Sequence, residues 1–207
     1  MNWFRSGTPK ITLACAVLGC FMFSSSSVSV SAQDWRHYGA TPGGTKYSSL
    51  RQINRGNVDN LEVAWVYRTG ELERRHGEFK ELQSFQATPI LVDGSLIVCT
   101  PLQRIIALDP ATGEERWVFD PEIDTSLRHG MGFKCRGVAA WLDETAKEGA
   151  PCRDRILFST IDLRLFAIDS RTGKRCPDFG ADGEVTVDPG PVAFAGEVQF
   201  GSSPPAV

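Results

Sequence analysis

The chain has 207 residues, of which 42% are hydrophobic, and its formal net charge at pH 7 is −3. Its 25 acidic side chains outnumber its 22 basic ones, so electrostatics gives the protein no reason to bind nucleic acid or anionic lipid. The histidines His37, His76 and His129 lie far apart and no two cysteines are spaced CxxC, which argues against a structural zinc site.

The first 32 residues have the pattern of a signal peptide and are set apart from the folded domain, residues 33–207. Arg5 and Lys10 form a charged head, an apolar run spans residues 11–23, and small residues lead to a cleavage site before Gln33. The apolar run has about 13 residues, fewer than the roughly 20 that a membrane-spanning helix needs. A membrane anchor and a weak lipoprotein signal at Cys20 are the alternatives. Cleavage would remove two basic residues and no acid, leaving a net charge of −5 (20 basic against 25 acidic).

Export would also decide the state of the cysteines. Cys99, Cys135, Cys152 and Cys176 would reach an oxidising compartment, where disulfides form. Four cysteines allow three pairings, and the sequence does not choose among them. Cys99 ends an apolar strand, so an unpaired core cysteine is an equally good interpretation of that residue.

From Leu61 onward, short β-branched and aromatic runs alternate with turn residues, and no 3.6-residue period is long enough for a substantial helix. The pattern predicts an all-β fold. Asp93-Gly94 predicts a tight hairpin, and the Thr-Gly pairs at 112–113 and 172–173 predict turns with a positive φ. The predicted strands are Leu61–Tyr67, Thr88–Val92, Leu96–Cys99, Ile105–Leu108, Arg116–Phe119, Arg155–Ser159 and Leu163–Ile168.

The chain repeats itself. Ile105–Asp120 aligns without a gap with Leu165–Gly180, and a partial third copy at Leu61–Gly70 gives Trp65 the role of Trp117. A fixed period in an all-strand chain predicts the blades of a propeller, because one four-stranded sheet cannot bury both of its faces alone. A β-sandwich containing two similar hairpins is the alternative.

Two further stretches are predicted to be connections between strands. Glu122–Pro151 interrupts the second unit with glycines, charges and small residues, which is typical of a long connection between strands. Such connections are usually functional or disordered. Asp188–Pro205 is rich in proline and glycine, and the final residues resemble the entry to another strand.

The segment Ala107–Trp117, ALDPATGEERW, resembles the tryptophan docking motif A-x-D-x-x-T-G-x-x-x-W of PQQ-dependent (quinoprotein) dehydrogenases. The motif implies a Thr-Gly turn between the third and fourth strands of a blade. Trp117 would stack on the neighbouring blade and donate its indole N–H to a backbone acceptor. In the second copy Pro177 replaces the tryptophan, so the docking of that blade must differ.

Other stretches resemble the membrane-bound glucose, quinate and shikimate dehydrogenase branch of this family and together cover nearly all of residues 34–207. The resemblance implies an eight-bladed β-propeller, of which this chain, as an N-terminal fragment, supplies roughly the first two to three blades. The stretches are DWRHYGATPGGTKYSSLRQIN, FQATPI, CTPLQRIIALDP, FKCRGVAAW and RTGKRCPDFGADGEV.

The resemblance assigns three residues to the cofactor PQQ, a planar tricarboxylic quinone that needs cationic and hydrogen-bonding groups. Arg136, in CRG, resembles the arginine that pairs with a cofactor carboxylate or quinone oxygen. Gln86, in FQATP, lies where many relatives place a glutamate, and an amide can bond a carboxylate without repulsion. Ser202, in SSPP, takes a hydroxyl position. A solvated loop arginine, a polar residue at a strand entry and a plain turn serine are the ordinary alternatives.

Relatives of the alcohol dehydrogenase type place two adjacent cysteines near this arginine, whereas this chain has only Cys135 beside it. A disulfide between neighbouring residues is therefore excluded, and any bridge must use Cys99, Cys152 or Cys176.

In the family, Ca²⁺ polarises the quinone and an aspartate takes the proton of the substrate hydroxyl. The resemblance places the calcium ligands and that aspartate beyond Val207, so we assign no catalytic residue to this chain. Asp109 and Asp169 occupy the same position of each repeat and are predicted to cap the turn before Thr-Gly.

The resemblance implies a periplasmic dehydrogenase, either associated with the inner membrane or free in the periplasm. It would oxidise a sugar, polyol or cyclic hydroxy acid and pass electrons to a quinone or a soluble carrier. Well-known members carry N-terminal membrane helices that this sequence does not show, so any peripheral membrane contact would use other surfaces. The 207 residues alone are expected to be inactive, because two or three blades cannot close an eight-bladed ring.

A non-enzymatic propeller scaffold of the outer-membrane assembly type carries the same docking motif and is the alternative function. A scaffold has no need of Gln86 or of the CRG segment, which makes these the discriminating features.

Overall fold

In a computed structural model of the protein, the residues described are 34–71, 73, 83–123 and 132–188. The predicted signal peptide and Ser202 lie outside them. The described residues contain one short 3-10 helix, Val58–Asn60, and no helix among them is long and apolar enough to cross a membrane. The strands are β1 (Ile90–Val92), β2 (Ser95–Cys99), β3 (Ile105–Leu108), β4 (Glu115–Phe119), β5 (Ala139–Leu142), β6 (Asp154–Ser159), β7 (Arg164–Asp169) and β8 (Glu184–Thr186).

The strands form two four-stranded antiparallel sheets, in which strands consecutive along the chain are neighbours in the sheet. Asp93 and Gly94 join β1 to β2 with φ values of 48° and 68°, and two positive φ angles match the twist of a two-residue hairpin. Gly113 and Gly173, with φ values of 74° and 66°, lie in the turns that follow β3 and β7. All three predicted turns are confirmed.

Most of the predicted strands are present, but one is wrong and two were missed. Residues 61–67 form no strand, because no described strand pairs with them. β5 lies inside the stretch that was predicted to be a connection. Its residues Ala139 and Ala140 favour strands weakly, and pairing with β6 buries them both.

A set of contacts made by the outer strand joins the first sheet to the second. The Trp117 indole N–H donates to the Ser170 carbonyl at 3.1 Å. Its ring covers Gly173 so closely that a Cβ there would lie 2.5 Å from the ring. Farther along the same chain segment, the Pro121 carbonyl accepts a hydrogen bond from Arg164 at 2.7 Å. The predicted role of Trp117 is confirmed.

The same contacts recur one unit earlier in the chain. The Trp65 indole N–H donates to the Pro110 carbonyl at 3.2 Å, and the ring covers Gly113 at the same 2.5 Å from a Cβ position. The Thr69 carbonyl accepts a hydrogen bond from Arg104 at 3.0 Å. Trp65 therefore does have the docking role predicted from the partial third copy, although its segment is not a strand.

Repetition of one contact set in one direction along the chain identifies the architecture. Each unit touches the next head to tail, and units related in this way are arranged around an axis. A sandwich of two similar halves would not reproduce the contact on a third segment. The two sheets are adjacent blades of a β-propeller, which confirms the predicted all-β fold class, and the sandwich alternative is wrong.

An apolar core fills the space between the two blades. Phe119, at the end of β4, packs edge-on against Phe158 and Phe166 with ring centroids 5.7 and 5.4 Å apart. Full burial of a side chain of this size contributes about 1.5–3 kcal/mol. Phe119 is partly buried and adds part of that to the attachment made by the tryptophan. The buried residues of this cluster are Ile90, Val92, Ile97, Cys99, Ile105, Ala107, Cys135, Val138, Ala140, Ile156, Phe158, Phe166 and Ile168.

The second blade departs from the first after β7. Arg175 still pairs with Ile168, but Pro177, which replaces the docking tryptophan, has no N–H to offer a neighbouring strand. The chain turns away and forms β8 only at Glu184–Thr186. A disulfide between Cys152 and Cys176, with Cα atoms 5.6 Å apart, closes this region. The docking of the second blade on a following one stays a prediction.

Candidate functional site

The segments that lead into the first strand of each blade run side by side. Gln83 and Phe133 form a parallel bridge, and the Ser84 N–H donates to the Phe133 carbonyl at 3.0 Å. In a parallel register, residues equally far along both segments lie at the same level. Gln86 and Arg136 are each three residues beyond this isolated bridge, and of the two only Arg136 lines the neighbouring pocket.

Arg136 is an exposed side chain on a tightly held backbone. Its neighbours Cys135, Gly137 and Val138 are buried, whereas Arg136 itself is exposed. Its guanidinium makes no hydrogen bond or ion pair with any residue that the structure describes. Arg51, Arg55 and Arg68 share this lack of a partner among the described residues. The described arginines beyond position 90 other than Arg136 each have at least one: Arg104, Arg116, Arg153, Arg155, Arg164, Arg171 and Arg175.

A pocket of about 320 Å³ lies beside Arg136 and is also lined by Arg36, Tyr38, Thr88 and Ile90. The other arginine of this pocket, Arg36, has its charge neutralised by a carboxylate. Arg36 donates two hydrogen bonds to the Asp154 carboxylate, at 2.8 and 2.6 Å, and that pairing raises the pKa of Arg36 above its usual value. Arg136 is the lining arginine whose charge no described carboxylate offsets.

Gln86 lies on the exposed face of its segment, and its amide nitrogen donates to the Ser84 hydroxyl at 3.2 Å. The contact is a weak one between neutral groups at the surface, so a stronger acceptor could replace it. Ser202, the third predicted cofactor residue, lies outside the residues that the structure describes.

Cys135 is bonded to Cys99, with Cα atoms 5.9 Å apart. The interpretation of Cys99 as an unpaired core cysteine is therefore wrong. Cys99 ends β2 of the first blade and Cys135 precedes β5 of the second, so the bond crosses between blades. The exclusion of a disulfide between neighbouring cysteines holds, because the partner of Cys135 lies 36 residues away in sequence.

The repeated aspartates cap turns, as predicted. Asp109 accepts the N–H groups of Ala111 and Thr112 at 2.8 and 3.0 Å, and Asp169 accepts those of Arg171 and Thr172 at 3.1 and 2.9 Å. Neither carboxylate lines the pocket beside Arg136. Among the described residues there is also no cluster of three or more His, Cys, Asp or Glu side chains that could hold a metal ion.

Comparisons with known proteins agree with this architecture. Residues 35–207 match the PQQ family "Glucose/ethanol/alcohol dehydrogenase, beta-propeller domain". The chain is 38% identical over 171 residues to quinoprotein glucose dehydrogenase A of Acinetobacter calcoaceticus, covering 76% of this chain and 21% of that protein. It is 40% identical over 163 residues to the quinoprotein glucose dehydrogenase of Escherichia coli (strain K12), covering 74% and 20%.

The crystal structure of the quinohemoprotein alcohol dehydrogenase from Comamonas testosteroni superposes with a TM-score of 0.54 at 33% identity, over 69% of this chain and 18% of that one. The chain belongs to the PQQ-dependent β-propeller dehydrogenase family, as the sequence predicted. It spans about a fifth of the length of the curated relatives that it matches.

Sequence reasoning missed Gln103, a fully buried residue of the β2–β3 turn. Its amide nitrogen donates to the Lys134 carbonyl at 3.3 Å, one residue before Cys135. The 60-residue repeat could have pointed to Gln103. Residues 99–104, CTPLQR, align with residues 159–164, STIDLR. The two stretches differ at four positions, which include the cysteine at position 99 and the glutamine at position 103.

Proposed function

We propose that the whole protein oxidises a CH–OH group of a sugar, polyol or cyclic hydroxy acid with PQQ, and that Arg136, Gln86 and Ser202 of this chain bind the cofactor. One observation carries the proposal: the Arg136 guanidinium is exposed, lines a pocket and has no partner among the described residues, while the neighbours of Arg136 along the chain are buried. A guanidinium matches a carboxylate through two parallel hydrogen bonds, and PQQ carries three carboxylates.

The two described residues fit an anionic quinone. Arg136 would bind and orient a carboxylate or quinone oxygen, and Gln86 would donate an amide hydrogen bond at the same level without adding a negative charge. The cofactor, when bound, supplies the two-electron acceptor for the oxidation. We place the Ca²⁺ ion that would act as a Lewis acid on ligands outside the described residues, since those include no metal-binding cluster.

We further propose that the protein works in the periplasm and passes its electrons to a quinone or a soluble carrier, with the inner membrane as its site of contact where a quinone is used. The signal-peptide pattern of the first 32 residues supports export. Two disulfides in the described part of the chain support it independently, because disulfides persist in oxidising compartments and are rare in the cytosol.

The experiment is to measure the dissociation constant of PQQ in the whole protein, with Ca²⁺ present, for Arg136→Ala and Arg136→Lys. A hydrogen bond to a charged group contributes about 1.5–3 kcal/mol, so we expect Arg136→Ala to weaken PQQ binding by about tenfold to a hundredfold. Lysine should recover part of the loss, since it keeps the charge without the two parallel donors.

Arg171→Ala is the control, because it removes an exposed arginine that does not line the pocket beside Arg136. Its partners are the surface carboxylate of Asp93 at 3.6 Å and the carbonyls of Gly149 and Ala150 at 2.8 and 3.4 Å. Its PQQ affinity should stay within about twofold of the unchanged protein. Equal PQQ affinities for Arg136→Ala and Arg171→Ala would contradict the proposed site. Only a failure of the unchanged whole protein to bind PQQ would favour the propeller scaffold, which binds no cofactor.

A further inference from the structure

The Arg136 segment is fastened to the first blade at two adjacent residues. Cys135 is bonded to Cys99, the last residue of β2, and the Lys134 carbonyl accepts the Gln103 amide N–H at 3.3 Å. Cys99 and Cys135 are 2% and 1% exposed. Two consecutive residues before Arg136 are thus held by one turn of the neighbouring blade.

Gln103 also holds the second blade by its other end. Its side-chain oxygen accepts the N–H of Ile161 at 2.8 Å, and Ile161 lies in the turn between β6 and β7. Gln103 has 0% exposure, and a buried amide with both ends bonded has one well-defined position. The Arg136 segment and the β6–β7 turn are therefore located by the same side chain.

The corresponding turn of the second blade shows that the turn conformation itself does not require these residues. Thr100 and Thr160 accept the N–H of the arginine four residues later, at 3.1 and 3.2 Å. The φ angles of Gln103 and Leu163 are 63° and 66°. The two turns have the same backbone, yet the second uses leucine where the first uses glutamine.

The cysteine is exchanged in the same way. Ser159 ends β6 at the position that Cys99 occupies in β2. The same turn conformation forms with serine and leucine at these positions, so it does not depend on cysteine and glutamine. Cys99 and Gln103 both contact the segment immediately before Arg136.

We infer that Cys99, Cys135 and Gln103 are positioning residues for Arg136, which hold its backbone in the orientation that binds an anionic group of the cofactor. The inference rests on the proposed function of Arg136. A long side chain that must be ordered on binding lowers affinity, and a backbone fixed beforehand reduces that loss. The disulfide and the buried Gln103 amide fix this backbone already in the cofactor-free protein.

The test measures PQQ affinity and the thermal unfolding midpoint of the whole protein in two matched double variants. Cys99→Ser/Cys135→Ser removes the bond between blades and copies Ser159, whereas Cys152→Ser/Cys176→Ser removes the bond within the second blade. Ordering one long side chain costs an amount equivalent to about a twofold to tenfold change in affinity. We expect the first double variant to weaken PQQ binding by an amount in this range, and the second to change it by less than about twofold.

Combining each double variant with Arg136→Ala separates positioning from general stability. If the disulfide acts through Arg136, then Arg136→Ala costs clearly less affinity after Cys99→Ser/Cys135→Ser than in the intact protein, because coupled residues are not additive. After Cys152→Ser/Cys176→Ser its cost should be unchanged. Equal losses of affinity in the two cysteine variants, or full additivity with Arg136→Ala, would overturn the inference.

Gln103→Leu keeps the disulfide and copies Leu163, so it tests the inference even if the cysteine variants fold poorly. It should weaken PQQ binding, and unchanged affinity would count against positioning by this residue. The failure of the two hypotheses is distinguishable. If Arg136→Ala alone has no effect, the proposed cofactor site is wrong; if only Arg136→Ala has an effect, the site stands and the positioning role falls.

Discussion

Asp109 and Asp169 hold the same turn position in the two blades but have different second partners. The free oxygen of Asp109 accepts from the Arg116 guanidinium at 2.6 Å near the surface, whereas that of Asp169 accepts the buried N–H of Cys152 at 2.7 Å. Burial opposes ionisation of Asp169, but the hydrogen bonds from Cys152 and the turn outweigh it and lower its pKa. The Arg116 contact lowers the pKa of Asp109.

We expect Asp169→Asn to lower the free energy of unfolding at pH 7 by about 1–3 kcal/mol, because an amide NH₂ would then face the Cys152 N–H. Asp109→Asn, whose second partner is at the surface, should cost less. The pKa of Asp169 is lower in the folded state, so its stabilisation is complete above about pH 4 and is lost as the pH falls through the lowered value. Urea unfolding of the unchanged protein and of Asp169→Asn at pH 7 and pH 3 measures this. A difference in free energy of unfolding between these two proteins that is larger at pH 3 than at pH 7 would contradict it.

At the scale of the element, the docking of each outer strand depends on a turn residue without a side chain. Gly173 has a φ of 66° and lies under the Trp117 ring, whereas Gly94 has a φ of 68° and room for a methyl group, with the nearest atom, a guanidinium nitrogen of Arg116, 4.0 Å from a Cβ position. Backbone strain on substitution is therefore the same at both positions. Only Gly173 adds a collision with the neighbouring blade.

Gly94→Ala should lower the free energy of unfolding by about 1 kcal/mol, the cost of a left-handed conformation for alanine. Gly173→Ala should cost about 1–3 kcal/mol more, because the alanine methyl overlaps the indole and must displace it. Chemical denaturation of the two variants gives the comparison. Equal losses would show that the tryptophan contact contributes little to the joining of blades.

The elements show why sequence reasoning succeeded where it did. Turns such as Asp93-Gly94 and the docking role of Trp65 follow from local chemistry and from the repeat, and both are confirmed. β5 was missed because its alanines gain strand character only through pairing with β6. The pairing of Cys99 with Cys135 depends on how one blade lies against the next, which a repeat within one chain does not specify.

At the scale of the whole molecule, the described residues supply two blades and one docking segment. Residues 65–69 make the contacts of an outer strand, yet they pair with no strand that the structure describes. Val63, just before this segment, and Val66, within it, are 80% and 72% exposed. A segment with an unpaired edge and exposed apolar side chains is marginal by itself.

We therefore predict that the purified 207-residue chain, supplied with PQQ, Ca²⁺, glucose and an artificial electron acceptor, shows no turnover above the rate without protein. Two blades do not surround an axis, so groups from other blades cannot meet a cofactor beside Arg136. The whole protein under the same conditions is the positive control. Sustained turnover by the isolated chain would contradict this expectation.

The disulfide between blades also has a topological consequence. It closes a covalent loop that contains β3, β4 and every residue from 100 to 134. A protease that cuts any single peptide bond within this loop produces two pieces that still migrate together on a denaturing gel, and they separate only after a thiol is added.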